Sequence, residues 1–395
     1  MHAGVEGPST RFRHRHRTHV FARLVVFGAV LIGAGGPHHA QEPILASTSA
    51  DVPVGRWIDR TPLDEAASAR RGGSEDSSAI YDPVRGRMVV YGGKDDADLS
   101  SRETWAFDPA ERVWERIETQ GRTPPASEDH TAIYDPVGHR LILHGGENGP
   151  TTNKLWSLDL ETSTWRELTS SDVPRRESHS AVYDARGKRM IVFGGFDRGD
   201  LDLYDVWAMD LDPASPTFEQ WQNLTVAEGR PFGRIDHAAA YDPGKNRLIF
   251  HGGWTKARRG LFGDTWAFYL PESRESQGRW MKIDTAPAAP PARRHGVAVH
   301  DSDRNLFVLF GGQGQTGYLN DVWALDLDRD VWMEVTPAEP GPMARIDHQA
   351  VYDSRAGSIL IYGGDGMLDD LKLHDVWELT VVPANSSSVA DSRTR

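Results

Sequence analysis

The chain has 395 residues, of which 38% are hydrophobic and 26% are charged, so it can bury a large core and is neither disordered nor fibrous. Its formal net charge of −13 repels phosphate backbones, and no stretch interleaves Lys and Arg with aromatic residues, which excludes nucleic acid as an expected partner. It contains no Cys, which excludes disulfide bonds and a lipidated Cys near the N-terminus.

The N-terminal residues have the pattern of an export signal. A basic, His-rich segment at residues 11–23 precedes an apolar run at residues 24–35. That run of about twelve residues is too short for a membrane-spanning helix and suits a signal peptide. We predict a signal peptide over residues 1–40 and a linker over residues 41–54, and hence a secreted or periplasmic chain without stable membrane insertion. An uncleaved anchor is the alternative, because His38 is a poor residue for position −3 of a cleavage site.

A repeat covers most of the remaining chain. An apolar run that ends in Gly-Gly occurs six times, at spacings of 53, 49, 58, 59 and 52 residues. The pairs are Gly92-Gly93, Gly145-Gly146, Gly194-Gly195, Gly252-Gly253, Gly311-Gly312 and Gly363-Gly364. A period of about 50 residues with many turn residues and no helical periodicity favours a β-propeller.

Each repeat predicts four short strands. A hairpin precedes each Gly-Gly, as at residues 130–146, where Asp135-Pro136 has the residues of a type I turn. After each Gly-Gly and a polar loop comes a first Trp, at Trp105, Trp156, Trp207, Trp266, Trp323 and Trp377. Five repeats have a second Trp, at Trp114, Trp165, Trp221, Trp280 and Trp332. We name the strands of each repeat a to d, from the inside outward.

The sixth repeat lacks its second Trp, and the missing strand is predicted at the other end of the chain. The segment Trp57-Ile58-Asp59-Arg60-Thr61-Pro62 matches Trp332-Met333-Glu334-Val335-Thr336-Pro337 in register. The N-terminal strand around Trp57 can therefore serve as strand d of the last blade and hide an open edge. We predict an all-β, six-bladed propeller over residues 55–380 and a disordered tail over residues 381–395.

The combination of Gly-Gly, paired Trp and Arg-x-x-His over residues 55–380 resembles the kelch-repeat superfamily. The resemblance implies a propeller scaffold, which hosts many unrelated functions. Galactose-oxidase-like copper enzymes of this fold use a Tyr crosslinked to Cys, and the absence of Cys excludes that activity. The bacterial sialic acid mutarotase is similar in architecture and compartment, but none of its catalytic motifs matches this sequence residue by residue.

The d–a and b–c loops of a propeller gather on one face around the channel, and loops on a rigid scaffold commonly bind ligands. Four d–a loops carry an Arg, at Arg176, Arg234, Arg293 and Arg345. If these side chains point toward the axis, they form a cationic mouth for carboxylates or phosphates. Alternatively, each Arg pairs with a nearby acid, such as Asp236, Asp347 or Glu177.

Other candidate ligand-binding residues lie in the same loops. Trp254 and Arg258 share one b–c loop, and Tyr318 lies in the next, a combination suited to a sugar or a peptide. A loop acid such as Glu128, Glu147 or Glu177 is a candidate for proton transfer. Acidic groups at residues 197–202 and 365–370 match no EF-hand loop, so neither a metal nor a cofactor is predicted.

A His opens strand a in five repeats, at His130, His179, His237, His295 and His348. Five imidazoles in a ring could bind a metal, but side chains at this position point toward neighbouring blades, which favours packing between sheets. His295 is one residue out of step, because Asp301 follows it by six residues where Asp135 follows His130 by five.

These observations favour a monomeric, extracytoplasmic binding module that recognises a protein, peptide or glycan through its d–a and b–c loops. The alternative is a small mutarotase-like or epimerase-like enzyme that holds an anionic sugar with the Arg ring. A purely scaffolding role is a third hypothesis. No nucleophile elbow, zinc-protease helix, P-loop or dinucleotide-binding motif is present, so a non-enzymatic role is favoured.

Overall fold

A computed structural model describes residues 52–63, 73–147, 150–168, 173–197, 201–273, 276–284, 288–367 and 372–382. The predicted signal peptide, most of the linker and most of the tail lie outside these residues. None of the described residues forms a helix with the length and apolar character needed to cross a membrane.

The secondary structure consists of short strands. In chain order they are β1 Val54–Asp59, β2 Ser78–Asp82, β3 Arg87–Tyr91, β4 Thr104–Asp108, β5 Val113–Arg116, β6 Gln120–Gly121, β7 Glu128–Asp135, β8 Arg140–Glu147, β9 Leu155–Asp159, β10 Thr164–Leu168, β11 Ser180–Asp184, β12 Arg189–Phe193, β13 Phe196–Asp197, β14 Leu201–Asp202, β15 Val206–Asp210, β16 Trp221–Asn223, β17 Ala238–Asp242, β18 Arg247–His251, β19 Trp254–Thr255, β20 Gly260–Leu261, β21 Thr265–Tyr269, β22 Arg279–Ile283, β23 Val297–Asp301, β24 Leu306–Gln313, β25 Tyr318–Asp326, β26 Val331–Pro337, β27 Arg345–Ile346, β28 Gln349–Asp353, β29 Ser358–Tyr362, β30 Asp365–Gly366 and β31 Val376–Val382.

The main strands form six antiparallel groups of four, which we call blades 1 to 6. From the inner to the outer strand they are β2-β3-β4-β5, β7-β8-β9-β10, β11-β12-β15-β16, β17-β18-β21-β22, β23-β24-β25-β26 and β28-β29-β31-β1. Each inner strand contacts the inner strand of the next blade, and β28 contacts β2, so the ring is closed. The prediction of an all-β propeller is confirmed.

The core lies between the blades. Each of six clusters of buried apolar side chains joins two adjacent blades. In one of them, Trp105 of blade 1 lies with Tyr362 of blade 6. Both faces of each sheet are therefore covered, and removal of one blade would expose two apolar surfaces.

The N-terminal strand completes blade 6, as the Trp57 alignment predicts. β1 pairs antiparallel with β31, with Trp57 opposite Leu379, and contacts β26 of blade 5 over two residue pairs. The predicted boundary at residue 380 falls short, because Val381 and Val382 still pair with β1 and Val381 is buried.

The Gly-Gly pairs stand where the d–a loop of the next blade passes close to the chain. In blade 4, Gly252 and Gly253 have φ values of 72° and 96°, in the left-handed region that favours glycine. A Cβ atom on Gly252 would lie 2.5 Å from the carbonyl oxygen of Arg293. The Gly253 N–H donates to that same oxygen at 2.8 Å. Both the backbone conformation and the close approach therefore require glycine.

Two adjacent residues of β1 test the closure. Trp57 is 7% exposed and contacts the rings of Phe310 and Trp377, whereas Ile58 is 46% exposed. Trp57→Ala should lower the free energy of unfolding by about 3–5 kcal/mol, because it empties the interface between blades 5 and 6. Ile58→Ala should change it by no more than about 0.5 kcal/mol, as at other surface sites. Urea unfolding measures both, and equal effects would show that β1 does not close the ring.

Candidate binding face

The four arginines predicted to line a cationic mouth are buried inside their own blades, each at most 1% exposed. Arg345 shows the arrangement: its two terminal nitrogens donate to Asp375 at 2.8 and 2.7 Å, and one of them also donates to the Gly363 carbonyl at 3.0 Å. The corresponding ion pairs are Arg176–Asp205, Arg234–Asp264 and Arg293–Asp321.

This arrangement corrects the ligand-binding prediction for Arg176, Arg234, Arg293 and Arg345. Carboxylate and carbonyl acceptors within the blade hold each guanidinium, so the side chain does not reach the channel. The prediction that acids such as Asp236, Asp347 or Glu177 pair with these arginines is also wrong. Although burial alone would raise it, the pKa of Asp375 lies below its ordinary value because Arg345 stabilises the carboxylate.

The sequence carries a signal for the true acid partner. An Asp stands two residues before the first Trp in blades 3 to 6 and also accepts a hydrogen bond from that indole, as Asp375 does from Trp377 at 2.6 Å. In blade 2, where Ser127 replaces the Arg, the Asp position holds Lys154. In the four blades that carry the Arg, the Asp is present too.

Four of the five imidazoles predicted to open strand a lie between blades, at His130, His179, His237 and His348. His130 Nδ1 is 2.7 Å from Ser78 Oγ, and His179 Nε2 is 2.7 Å from Thr131 Oγ1 of the preceding blade. Burial lowers the pKa of His130 to about 4, so the ring is neutral. These contacts agree with the packing interpretation. Among the residues that the structure describes, no group of three or more His, Cys, Asp and Glu is arranged to hold a metal ion.

A different set of side chains lines the channel, one residue before each of those positions. This channel ring consists of Asp76, Asp129, Ser178, Asp236, His295 and Asp347, all with φ between 51° and 56°. His295 is out of step because it belongs to this ring, while Gly296 takes the position between the blades. Five backbone hydrogen bonds link successive members, as from Asp129 N–H to the Asp76 carbonyl. The ring borders a cavity of about 230 Å³.

The channel ring is strongly acidic, because four of its six members are Asp. His295 lies between two carboxylates, with Nδ1 at 2.5 Å from Asp347 Oδ1 and Nε2 at 3.3 Å from Asp236 Oδ2. Although burial opposes protonation, these two neighbours raise the pKa of His295 to about 9, so the ring is cationic. Burial and the charges of Asp236 and Asp347 raise the pKa of Asp129 to about 7.

A wider circle of paired residues surrounds the channel ring, and we call it the mouth. Each pair joins the residue before a channel-ring member to the residue after a Gly-Gly. The pairs are Glu75–Lys94, Glu128–Glu147, Glu177–Phe196, Ile235–Trp254, Arg294–Gln313 and Ile346–Asp365.

Two of the remaining predicted residues belong to the mouth, and two lie near it on the same loops. Glu128 accepts from Lys94 Nζ at 2.9 Å, and the Arg294 guanidinium lies 5.8 Å from the centre of the Trp254 ring. Tyr318 donates to Asp365 at 3.1 Å. Arg258 is exposed in the b–c loop of blade 4. The structure therefore brings Glu128, Trp254 and Tyr318 to the channel opening.

Comparisons with known proteins agree with this architecture. Residues 23–215 and 214–390 match the family model described as the KLHDC2/KLHL20/DRC7 Kelch-repeats domain. Adagio-like protein 2 of Oryza sativa subsp. japonica is 29% identical over 340 residues, which cover 79% of this chain and 50% of that protein. Kelch domain-containing protein 2 of Homo sapiens is 30% identical over 175 residues, 42% of this chain and 41% of that protein. The chain thus spans about half the length, or less, of these relatives.

Replacement of one buried arginine tests its structural role. Arg234→Met should lower the free energy of unfolding by about 3 kcal/mol or more, because Asp264 keeps its charge without the guanidinium. Arg258→Met, on the same blade but exposed, should change it by no more than about 0.5 kcal/mol. Urea unfolding of both variants decides, and wild-type stability for Arg234→Met would mean that the guanidinium is not held inside the blade.

The pH dependence of stability tests the channel ring. Because the pKa of Asp129 is raised from 3.8 to about 7 in the native state, the unfolded state loses this proton at lower pH than the native state does. The free energy of unfolding therefore falls as pH rises from about 4 to about 7. Asn stays neutral, so Asp129→Asn should raise the melting temperature more at about pH 8 than at about pH 5. The exposed Glu111→Gln on the opposite face is the control. A pH-independent effect of Asp129→Asn would contradict the raised pKa.

Proposed function

Since the chain belongs to the kelch-repeat family, we propose that it is an extracytoplasmic interaction module that binds a segment of a partner protein at the mouth. Kelch-repeat domains commonly serve in protein binding, which supports the general role. The proposal adds two parts to this general role, namely the extracytoplasmic location of the protein and the nature of its ligand.

The observation that carries the proposal is that the six repeats differ at the mouth and agree in their a–b turns, which lie on the opposite face. Every a–b turn begins with the same residue, at Asp82, Asp135, Asp184, Asp242, Asp301 and Asp353. In each turn that carboxylate accepts backbone N–H groups, as Asp82 does from Val84 and Arg85. The requirements of folding explain the uniform turns, whereas they do not explain the variety of the mouth.

The asymmetry of the mouth supports an irregular ligand. Acids dominate the side formed by Glu75, Glu128 and Glu177, while Ile235 and Trp254 make the opposite side apolar. An ion or a small symmetric ligand on the axis would gain little from such a distribution. A peptide segment with different side chains along its length can match it, using aromatic contacts together with hydrogen bonds.

The sugar-processing alternative loses the feature that motivated it. That hypothesis uses the four arginines to hold an anionic sugar, but each of them is buried and bound to an Asp of its own blade. The geometry therefore favours the binding role.

The extracytoplasmic location rests on the sequence pattern of residues 1–40, which lie outside the described residues. Export through that signal predicts a mature chain that begins at Gln41. N-terminal sequencing of the secreted or periplasmic protein is the measurement, and recovery of the full-length chain only from the cytoplasm would contradict it.

Selection from a phage-displayed library of random dodecapeptides tests the binding role. The selected peptides should bind the wild-type protein and lose at least about tenfold in affinity with Trp254→Ala, because an aromatic side chain near the centre of a binding site often contributes most of the energy. Titration calorimetry with the synthetic peptides measures the loss.

The matched control is Arg329→Ala, an exposed residue in a c–d turn of the opposite face, which should leave affinity unchanged. Thermal melting checks that each variant is folded. Peptides that bind Trp254→Ala as tightly as the wild type, or whose binding depends on Arg329, would place the site elsewhere and contradict the proposal.

A further inference from the structure

Three aromatic rings with arginines stacked on them lie beside the mouth, in the loops of blades 3 and 4. The distances from guanidinium carbon to ring centre are 3.5 Å for Arg230 on Tyr204, 3.6 Å for Arg258 on Phe232 and 4.0 Å for Arg234 on Phe262. We call these six residues the aromatic–cationic patch. The patch continues into the mouth, where Arg294 lies over Trp254.

Three of the six patch residues are exposed to solvent. Phe232 is 51% exposed and Tyr204 is 42% exposed, and Arg258 is exposed as well. The rings of Phe232 and Phe262 are nearly parallel, at 5°, with centres 6.5 Å apart. Adjacent exposed aromatic side chains on one surface are typical of an interaction site and are not needed to fill a core.

Two of the three arginines have no acidic partner within the part of the chain that the structure describes. Arg230 donates to the carbonyl of its neighbour Pro231 at 3.1 Å, and Arg258 contacts the face of Phe232. Arg234, only four residues after Arg230, is instead bound to Asp264. The patch therefore presents guanidinium groups that are oriented by aromatic rings and not neutralised by carboxylates of the described residues.

Arg234 shows what a stacked guanidinium of this patch can bind. Its face lies on Phe262, while two of its nitrogens donate to the two carboxylate oxygens of Asp264 at 2.7 and 3.3 Å. Stacking uses the face of the group, and its N–H bonds lie in the plane, so the two interactions are compatible. Arg258 on Phe232 has the same stacked arrangement and can donate to a carboxylate in the same manner.

The charge distribution around the mouth favours an acidic ligand at this patch in particular. Glu75, Glu128 and Glu177 lie on the side of blades 1 to 3, whereas Arg230, Arg258 and Arg294 lie around blade 4. An acidic segment gains no net attraction at the first side, where Lys372 and Lys94 already pair with Glu75 and Glu128. It is attracted to the arginines of the second side, so the distribution favours its placement at the patch.

We propose that the aromatic–cationic patch binds an acidic segment of the partner protein, with side-chain carboxylates on Arg230 and Arg258 and an apolar side chain against Phe232. Two separate guanidinium groups call for two carboxylates, which acidic side chains supply and a single chain terminus does not. This inference rests on the proposed function and adds the chemistry of the partner.

The test uses the same random dodecapeptide library, with the selected sequences synthesised as C-terminal amides so that the chain end carries no carboxylate. Peptides that bind the wild type should be enriched in Asp and Glu next to apolar residues. The charge-reversed variant R230E/R258E should bind them at least about tenfold more weakly and should select basic peptides instead. Affinity for the wild type should fall with added salt.

Two further variants make the test specific. R56E/R329E, which changes the net charge equally at exposed sites on the outer strand and in a turn of the opposite face, should retain wild-type affinity. Arg258→Lys keeps the charge without the planar, stackable group, so it should lose part of the affinity even though the charge is unchanged. Equal losses in R230E/R258E and R56E/R329E would reduce the effect to net charge and overturn the inference.

The outcomes separate this inference from the proposed function. Selected peptides that depend on Trp254 but show no acidic preference and bind R230E/R258E normally would overturn the inference alone. Selection that yields no peptide dependent on Trp254 or on the patch would overturn both. Acidic peptides that need Arg230 and Arg258 but not Trp254 would support the patch and move the binding site away from the mouth.

Discussion

The structure depends on the close passage of each d–a loop over the glycine pair of the blade before it. At Gly252 and Gly253 the chain of blade 4 lies between two such loops, accepting a hydrogen bond from Arg234 and donating one to the carbonyl of Arg293. Any side chain at either glycine would separate these backbones. Because the passage recurs around the ring, it determines where every d–a loop emerges at the channel, and thus where the mouth residues lie.

The same passage separates the groups that stabilise the protein from those that are available for binding. The Arg side chains of blades 3 to 6 turn inward at this point and join the d–a loop to the start of strand c. The next residues in the chain turn outward and form the mouth and the channel ring. Residues only one or two positions apart therefore have different roles, one in stability and one in binding. The effect of substituting one of them does not predict the effect of substituting its neighbour.

The sequence was sufficient to predict the fold, because its determinants are local and repeated. Glycine pairs mark the backbone passages, tryptophans mark the interfaces, and the match between Trp57 and Trp332 locates the closing strand. The roles of Arg176, Arg234, Arg293 and Arg345 were predicted wrongly, because a guanidinium suits an external carboxylate as well as an internal one. Only the position of the acid distinguishes the two cases, and Asp205, Asp264, Asp321 and Asp375 lie about 30 residues away in sequence. The aromatic–cationic patch was not predicted either, because Tyr204, Phe232 and Phe262 come from three different loops that are distant in sequence.

Closure by the N-terminal strand has a consequence for how the protein is made. The pairing of β1 with β31 joins residues more than 300 positions apart, and Arg60, directly after β1, pairs with Glu378 at a separation of 318. A chain is synthesised from its N-terminus, so Trp57 leaves the ribosome long before the strand that covers it. Until then β1 is an unpaired strand with an apolar residue at its centre, which is a risk for association between chains. Charged residues beside an apolar strand residue reduce aggregation. Arg56 and Asp59, on either side of Trp57, therefore lower the risk of association between chains until β1 is paired.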